Sequence, residues 1–399
     1  MKIYKIKNII LFSFLAILIT GCTETYPLLT NTFEEIIVVE ATITNELKNQ
    51  EIKITKTAKF EDENYLPETG AKVFITDDAG NQYDFKEDSG TYISVIEFQA
   101  QPERKYQLHI NTKDGRTLES STETLTAINP MQNVVAAVEK KDSINGVSIR
   151  INSFDPEKKS KYYRYEYEET YKVVAPKWIP IKGILDENSN LQLILNSEST
   201  QVCYGNKKST DLLLANTNNL SEDRVDFMAR FISDQDYIIT TRYSILVKQY
   251  VESLAAYNYY ATLKKISGSG SILSPVQPGF LLGNIQSVNS NNKVAGYFDV
   301  ASVSTERIYF NYSDLFPGQS PPPYAVDCLE YCYGDFDAGT SPVPCSHTHP
   351  SKFRQDLGLR LVTYYSGFDS PGTFSYWVNA PCGDCTTIAS NIKPTFWTD

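Results

Sequence analysis

The chain reads as a mainly β protein: an N-terminal immunoglobulin-like β-sandwich, then a larger β-rich domain with one covering α-helix. Three observations predict this. Tyr and Phe number 27 and 19 in 399 residues, and aromatic side chains fit the pleated surface of a sheet. Short runs of alternating apolar and polar residues recur at spacings of about 8 to 12 residues, as in a sandwich. Between them stand turn-forming pairs such as Ser89-Gly90, Asp114-Gly115 and Asn145-Gly146.

Within 35–44, Ile37, Val39, Ala41 and Ile43 fall on one face of a strand, and a second strand follows at 51–60. Val73-Phe74-Ile75-Thr76, the turn Asp77-Asp78-Ala79-Gly80 and a return through Tyr83 and Phe85 make a hairpin, and Asp88-Ser89-Gly90 turns the chain again into Tyr92 and Ile93. Residues 104–111 put Tyr106, Leu108 and Ile110 inward and His109 on the opposite, solvated face. Lys113-Asp114-Gly115-Arg116 then leads into a strand at 117–125. These strands form the sandwich of 35–128, with a boundary at Ala127-Ile128-Asn129-Pro130.

The second domain, 129–399, opens with strands around 134–138 and 147–154 joined by a hairpin turn at Asn145-Gly146. Asp155-Pro156 turns the chain into 161–174, where Tyr163, Tyr165 and Tyr167 share one side of a strand. Aromatic packing between strands explains that stripe; a stacking platform for sugars or bases is the alternative. The Asn-, Ser- and Thr-rich segment 186–219 predicts loops and edge strands. A helix is predicted over 254–266, with Ser253 as N-cap, Gly268-Ser269-Gly270 as its stop, and Leu254, Tyr257 and Ala261 on the face that covers the sheet. A further hairpin brackets 289–292, and a Cys- and Pro-rich loop region spans 317–350.

Residues 1–21 carry Lys2, Lys5 and Lys7, an apolar run from Ile9 to Ile19 broken by Ser13, and then Thr20-Gly21-Cys22. This is the order of a secretory signal, with an apolar run too short to stay in a bilayer as a spanning helix. Ile19-Thr20-Gly21-Cys22 resembles the bacterial lipobox, which implies cleavage before Cys22 and a diacylglycerol thioether on its sulfur. Buried acyl chains contribute about 0.8 kcal/mol per methylene, so two or three of them anchor permanently. Residues 22–34 are the tether. No Asp follows Cys22, so the outer membrane is the expected location, with Glu24 compatible with export to the cell surface.

Removing residues 1–21 takes away three of the 37 basic residues and none of the 48 acidic ones, moving the formal charge from −11 to −14. An acidic surface argues against nucleic acid as a partner. Six cysteines remain beside the lipidated one: Cys203, Cys328, Cys332, Cys345, Cys382 and Cys385. In an exported chain they are disulfide candidates, with fifteen pairings open. Cys345, His347 and His349, with Cys328 and Cys332 upstream, are ligand types for a metal, yet their spacing matches no zinc pattern. Cystines with surface histidines are the expectation. Cys382 and Cys385 are read as structural, for want of a thioredoxin-like setting. The chain has three histidines and no nucleophile-elbow motif, so no catalytic, cofactor-binding or metal site is expected.

Several segments together resemble the Bacteroidetes lipoproteins grouped as domain of unknown function 4249. They are Val38-Val39-Glu40-Ala41-Thr42-Ile43-Thr44, Gly70-Ala71-Lys72-Val73, Phe154-Asp155-Pro156, Tyr162-Tyr163-Arg164, Ala256-Tyr257-Asn258-Tyr259-Tyr260, Gly270-Ser271, Gly283-Asn284-Ile285, Gly296-Tyr297-Phe298 and Cys382-Gly383-Asp384-Cys385-Thr386. Ala41 stands where the family pattern has Gly. The resemblance implies a lipid-anchored envelope protein often encoded beside a TonB-dependent outer-membrane transporter, with no established activity. The functional expectation is a non-enzymatic accessory to such a transporter in nutrient binding or uptake, holding substrate or shaping the transporter's extracellular face, with the small-molecule or peptide ligand unidentified. A structural or adhesion protein of the cell surface is the alternative, and an envelope hydrolase, acting through a carboxylate pair, comes third.

Overall fold

The fold comes from a computed structural model that describes residues 35–57, 66–268, 281–333, 350–367 and 375–399. The alternation read near the N-terminus becomes nine strands: β1 (Ile37–Thr44), β2 (Glu51–Lys56), β3 (Leu66–Pro67), β4 (Lys72–Asp77), β5 (Gln82–Asp88), β6 (Thr91–Ser94), β7 (Lys105–Asn111), β8 (Thr117–Ser120) and β9 (Glu123–Thr124). Ile37, Val39, Ala41 and Ile43 point inward as their spacing dictates, and so do Tyr106, Leu108 and Ile110. After them come β10 (Asn133–Lys141), β11 (Ile144–Asp155), β12 (Tyr162–Val174), β13 (Ile181–Leu185), β14 (Leu191–Leu195), β15 (Val202–Lys208), β16 (Leu213–Asn216), β17 (Asp223–Ser233), β18 (Arg242–Val251), helix α1 (Leu254–Gly268), β19 (Ile285–Ser287) and β20 (Val294–Asn311). The chain ends with β21 (Glu330–Tyr333), β22 (Val362–Gly367) and β23 (Ser375–Asn379).

One large mixed sheet runs in the order β15-β12-β18-β20-β1-β2-β6-β5-β4-β7-β8-β19. Its second half curls back on itself. Leu282 bridges Ala295, and the Asn284 side chain exchanges two hydrogen bonds of 2.8 Å with the Phe298 backbone, so the far edge returns to β20. The enclosed core gathers Ile37, Val39, Ile52, Ile75, Leu108, Leu118 and, from the returning segment, Ile285, Val294 and Phe298. The strands expected as a free-standing sandwich over 35–128 therefore share their core with residues 285–300. β20 joins the two halves: it pairs parallel with β1 from Val294 to Ala301 and antiparallel with β18 from Ser302 to Asn311.

The second core lies between the other half of the large sheet and the three-stranded sheet β10-β11-β17. Tyr163 and Tyr165 are fully buried there, with Tyr165 stacked on Phe227 at 4.8 Å, so the tyrosine stripe is packing. The β10–β11 turn sits earlier than Asn145-Gly146. Asp142 and Ser143 take positive φ (49° and 70°) and make the reversal, the backbone pattern of a two-residue hairpin loop. Gly146 instead lies inside the ladder, where a Cβ would stand 2.2 Å from the Ile232 carbonyl oxygen, so that glycine serves close strand approach.

A third, smaller unit has β21-β23-β22 with the β13–β14 hairpin and the helix Pro350–Gly358 about the buried Trp377. Two disulfides pin it: Cys203 to Cys385, 182 residues apart, and Cys328 to Cys382, 54 apart. Cys382 and Cys385 thus do not close on each other; each ties the same short segment to a different part of the chain. Among the described residues no helix is long and apolar enough to cross a membrane.

Candidate functional site

Strand alternation that turns Tyr163 and Tyr165 into the core must turn Arg164 and Glu166 to the opposite face of β12. That face meets the end of β18, the middle of β20 and helix α1. Ser253 caps α1 as its position promised, its Oγ accepting from the Ala256 N–H at 3.1 Å. The covering face is rotated from the expected one, which it keeps at Tyr257, packed on Tyr162 of β12 at 5.0 Å. Leu254 is 54% exposed whereas Ala256 is fully buried, and Tyr259, Tyr260 and Leu263 line a cleft. The helix docks through 256, 259, 260 and 263, a fuller i, i+3, i+4, i+7 stripe than Leu254, Tyr257 and Ala261 offer.

Beneath the helix sits a buried charge network. The Arg164 guanidinium lies over the Tyr250 ring at 4.1 Å and the Tyr260 ring at 4.8 Å. Its Nε donates to Glu252 at 2.7 Å and its Nη1 to Glu166, whose other oxygen accepts from the Tyr250 hydroxyl at 3.1 Å. Burial alone would lower the Arg164 pKa, but the Glu252 charge and its other partners hold it well above the ordinary value. Behind Arg164, Glu252 faces Asp299 on β20. Burial, and then the Glu252 carboxylate, push the Asp299 carboxyl well above the usual range. The two outer oxygens, Glu252 Oε2 and Asp299 Oδ2, have no other hydrogen-bond partner. A proton held by Asp299 and donated to Glu252 satisfies both. The network is then one guanidinium, two carboxylates and one neutral carboxyl, with Glu252 and Asp299 sealed from solvent.

In front of this network the cleft, about 480 Å³, opens between α1 and the outer face of the large sheet. Strand register sets its floor. Glu40 stands opposite Lys53 across the β1–β2 ladder and beside Tyr297 of β20, while Lys53 stands opposite Thr91. Glu51, two residues from Lys53, shares that face. Tyr259 and Tyr297 lie 5.1 Å apart between ring centres and Tyr260 and Tyr297 6.3 Å, so three rings form one wall. Burial and the nearby Glu40 charge raise the Tyr259 hydroxyl above its ordinary value.

Residues 23–307 match the family described as Domain of unknown function (DUF4249). The chain belongs to the DUF4249 family. No curated protein matches it. Four segments that carry the DUF4249 resemblance, Val38–Thr44, Tyr162–Arg164, Ala256–Tyr260 and Gly296–Phe298, converge on this cleft and its charge network.

Of the residues singled out from sequence, Cys22, Cys345, His347 and His349 lie outside the described residues, and Cys332 is described only as backbone within β21. Cys203, Cys328, Cys382 and Cys385 form the two disulfides. His109 is less solvated than its position promised. Its side chain is 17% exposed, stacked on Phe74 at 4.8 Å, with Nε2 3.0 Å from Thr76 Oγ1 and Nδ1 3.4 Å from Glu119. That Thr-His-Glu relay resembles an activated nucleophile in outline. It lies across three neighbouring strands on an outer sheet face and lines none of the described clefts. Among the described residues no group of three or more His, Cys, Asp or Glu could hold a metal. Sequence reading missed Arg164, Glu252 and Asp299. The available signal was a lone arginine between two inward tyrosines, which places a charge on the opposite face.

Proposed function

We propose that this DUF4249 chain is a non-enzymatic lipoprotein of the cell envelope that holds a ligand in the cleft beneath α1 for a TonB-dependent outer-membrane transporter. The observation that carries the reading is the convergence of Val38–Thr44, Tyr162–Arg164, Ala256–Tyr260 and Gly296–Phe298 on one cleft. Packing alone gives no reason for segments so far apart in sequence to combine three tyrosines, a buried arginine and exposed carboxylates. The acid pair supports binding over hydrolysis. A glycosidase pair must flank its substrate, whereas Glu252 and Asp299 face each other behind Arg164 with no solvent exposure to speak of.

On this reading the lipobox ending at Cys22 anchors the body to the outer membrane, the N-terminal strands serve as an immunoglobulin-like module, and residues 22–34 tether it. Co-purification from solubilised outer membrane tests the partnership: a transporter is recovered with the chain, and its repeated absence refutes the accessory role. A second reading, a structural or adhesive surface protein, draws on the β13–β14 hairpin, where Ile184, Leu193, Ile194 and Leu195 are exposed. Loss of cell adhesion on their replacement by Ser, with transporter recovery absent, would favour it.

A further inference from the structure

The cleft beneath α1 has a definite chemistry, and the following rests on its being a ligand site. Its charged lining residues are Glu40 on β1, Glu51 and Lys53 on β2, and Arg164 and Glu166 on β12, while β6, β20 and α1 bring only neutral side chains. Arg164 is already spent, its guanidinium stacked on two rings and bonded to Glu252 and Glu166. Glu166 is tied to Arg164 and the Tyr250 hydroxyl, which leaves Glu40 and Glu51 facing Lys53, the one exposed ammonium among the described lining residues. The tyrosine wall adds a second attraction of the same sign, because ring faces carry negative electrostatic potential and draw cations. Arg164 demonstrates this within the fold, since Tyr260 is at once part of the wall and one of the two rings that take its guanidinium. A carboxylate or phosphate ligand would meet Glu40 and Glu51 unfavourably, and a neutral sugar would leave their charge uncompensated. At about 480 Å³ the space suits a side chain or a small molecule.

From these observations we infer that the cleft recognises an organic cation, an alkylammonium or guanidinium group, with Glu40 and Glu51 supplying charge and Tyr259, backed by the buried Tyr297, the ring face. The same group occurs in basic peptides and in free polyamines, and the test separates them.

Isothermal titration calorimetry on the purified full chain uses trilysine and spermidine as probes, with triglutamate and maltotriose as comparisons. At low ionic strength one or both cations bind saturably; trilysine alone assigns a peptide ligand and spermidine alone a polyamine. Binding weakens by about tenfold in Glu40→Gln/Glu51→Gln and by about fivefold in Tyr259→Ala, and falls further with added salt. Asp142→Asn, a charge change in the remote β10–β11 turn, leaves it unaltered. Both glutamates are exposed, so the Gln variants keep the fold, which circular dichroism verifies. Binding of neither cation overturns the inference, as does binding that Asp142→Asn weakens as much as the cleft variants do. Tight binding of triglutamate or maltotriose that Tyr259→Ala abolishes would overturn the cation while leaving a ligand site, and the accessory role stands or falls separately on transporter recovery.

Discussion

Replacing Arg164 by Met removes the cation between Glu252 and Glu166 while keeping much of the stem volume. Glu252 is then a carboxylate with no solvent exposure and no counter-charge. Charge centres about 4 Å apart at an effective dielectric of about 20 attract by about 4 kcal/mol, and breaking a buried pair from one side costs about 3–5 kcal/mol. Against an m of about 3 kcal/mol per M, the urea midpoint falls by at least about 1 M. Asp299→Asn behaves oppositely. Asp299 already carries its proton and donates to Glu252, and the amide keeps the shape, the neutrality and a donor. Below pH 3.8, where the carboxyl is neutral in the folded and unfolded chain alike, the substitution costs about 1 kcal/mol or less. The pH dependence has a definite sign. Asp299's carboxyl titrates higher in the folded chain than its ordinary 3.8. Its contribution is fully present below that value and is lost as pH rises through the folded one. In that window the wild-type chain loses up to about 1.4 kcal/mol per pH unit relative to the Asn variant. Urea titrations followed by circular dichroism at several pH values measure both effects. An Arg164→Met chain as stable as wild type, or an Asp299→Asn chain as damaged as Arg164→Met, would refute the shared-proton network.

Gly296→Ala is expected to cost at least about 3 kcal/mol, because at φ +111° its Cβ would stand 1.9 Å from the Val39 carbonyl oxygen and force β20 off β1; thermal denaturation of the variant reads this directly. Non-reducing peptide mapping should recover Cys203 with Cys385 and Cys328 with Cys382; recovery of a Cys382–Cys385 peptide would contradict the pairing. Cys203→Ala, opening a link between residues 182 apart, is expected to cost about 2–5 kcal/mol, seen as a lowered melting midpoint. Cys22→Ser should abolish incorporation of labelled palmitate and release the chain from membranes; full retention would remove the anchor from the proposal.

What the sequence by itself determined about this chain is local. Alternation in Ile37-Val38-Val39-Glu40-Ala41 selects a strand and its buried face, because side chains two apart must share a side. Ser253 before an apolar stripe marks a helix start, because its hydroxyl can satisfy an end-on N–H. The segments that carry the DUF4249 resemblance were likewise legible one by one. What only the tertiary structure decided is which of these pieces meet. Nothing local says that residues 285–300 return to complete the N-terminal core, since that depends on glycine contacts between Gly296 and Val39 and between Gly283 and Gly296. Nor could spacing choose among the fifteen cystine pairings, which follow from where the strands bring distant cysteines within bonding distance. The cleft is the strongest case. Arg164 on β12, Glu252 just past the end of β18 and Asp299 on β20 are far apart in sequence, and burial makes a common acid into a proton-sharing partner. Burial is a property of the assembled layers, so the charge network exists only once β12, β18, β20 and α1 have packed together.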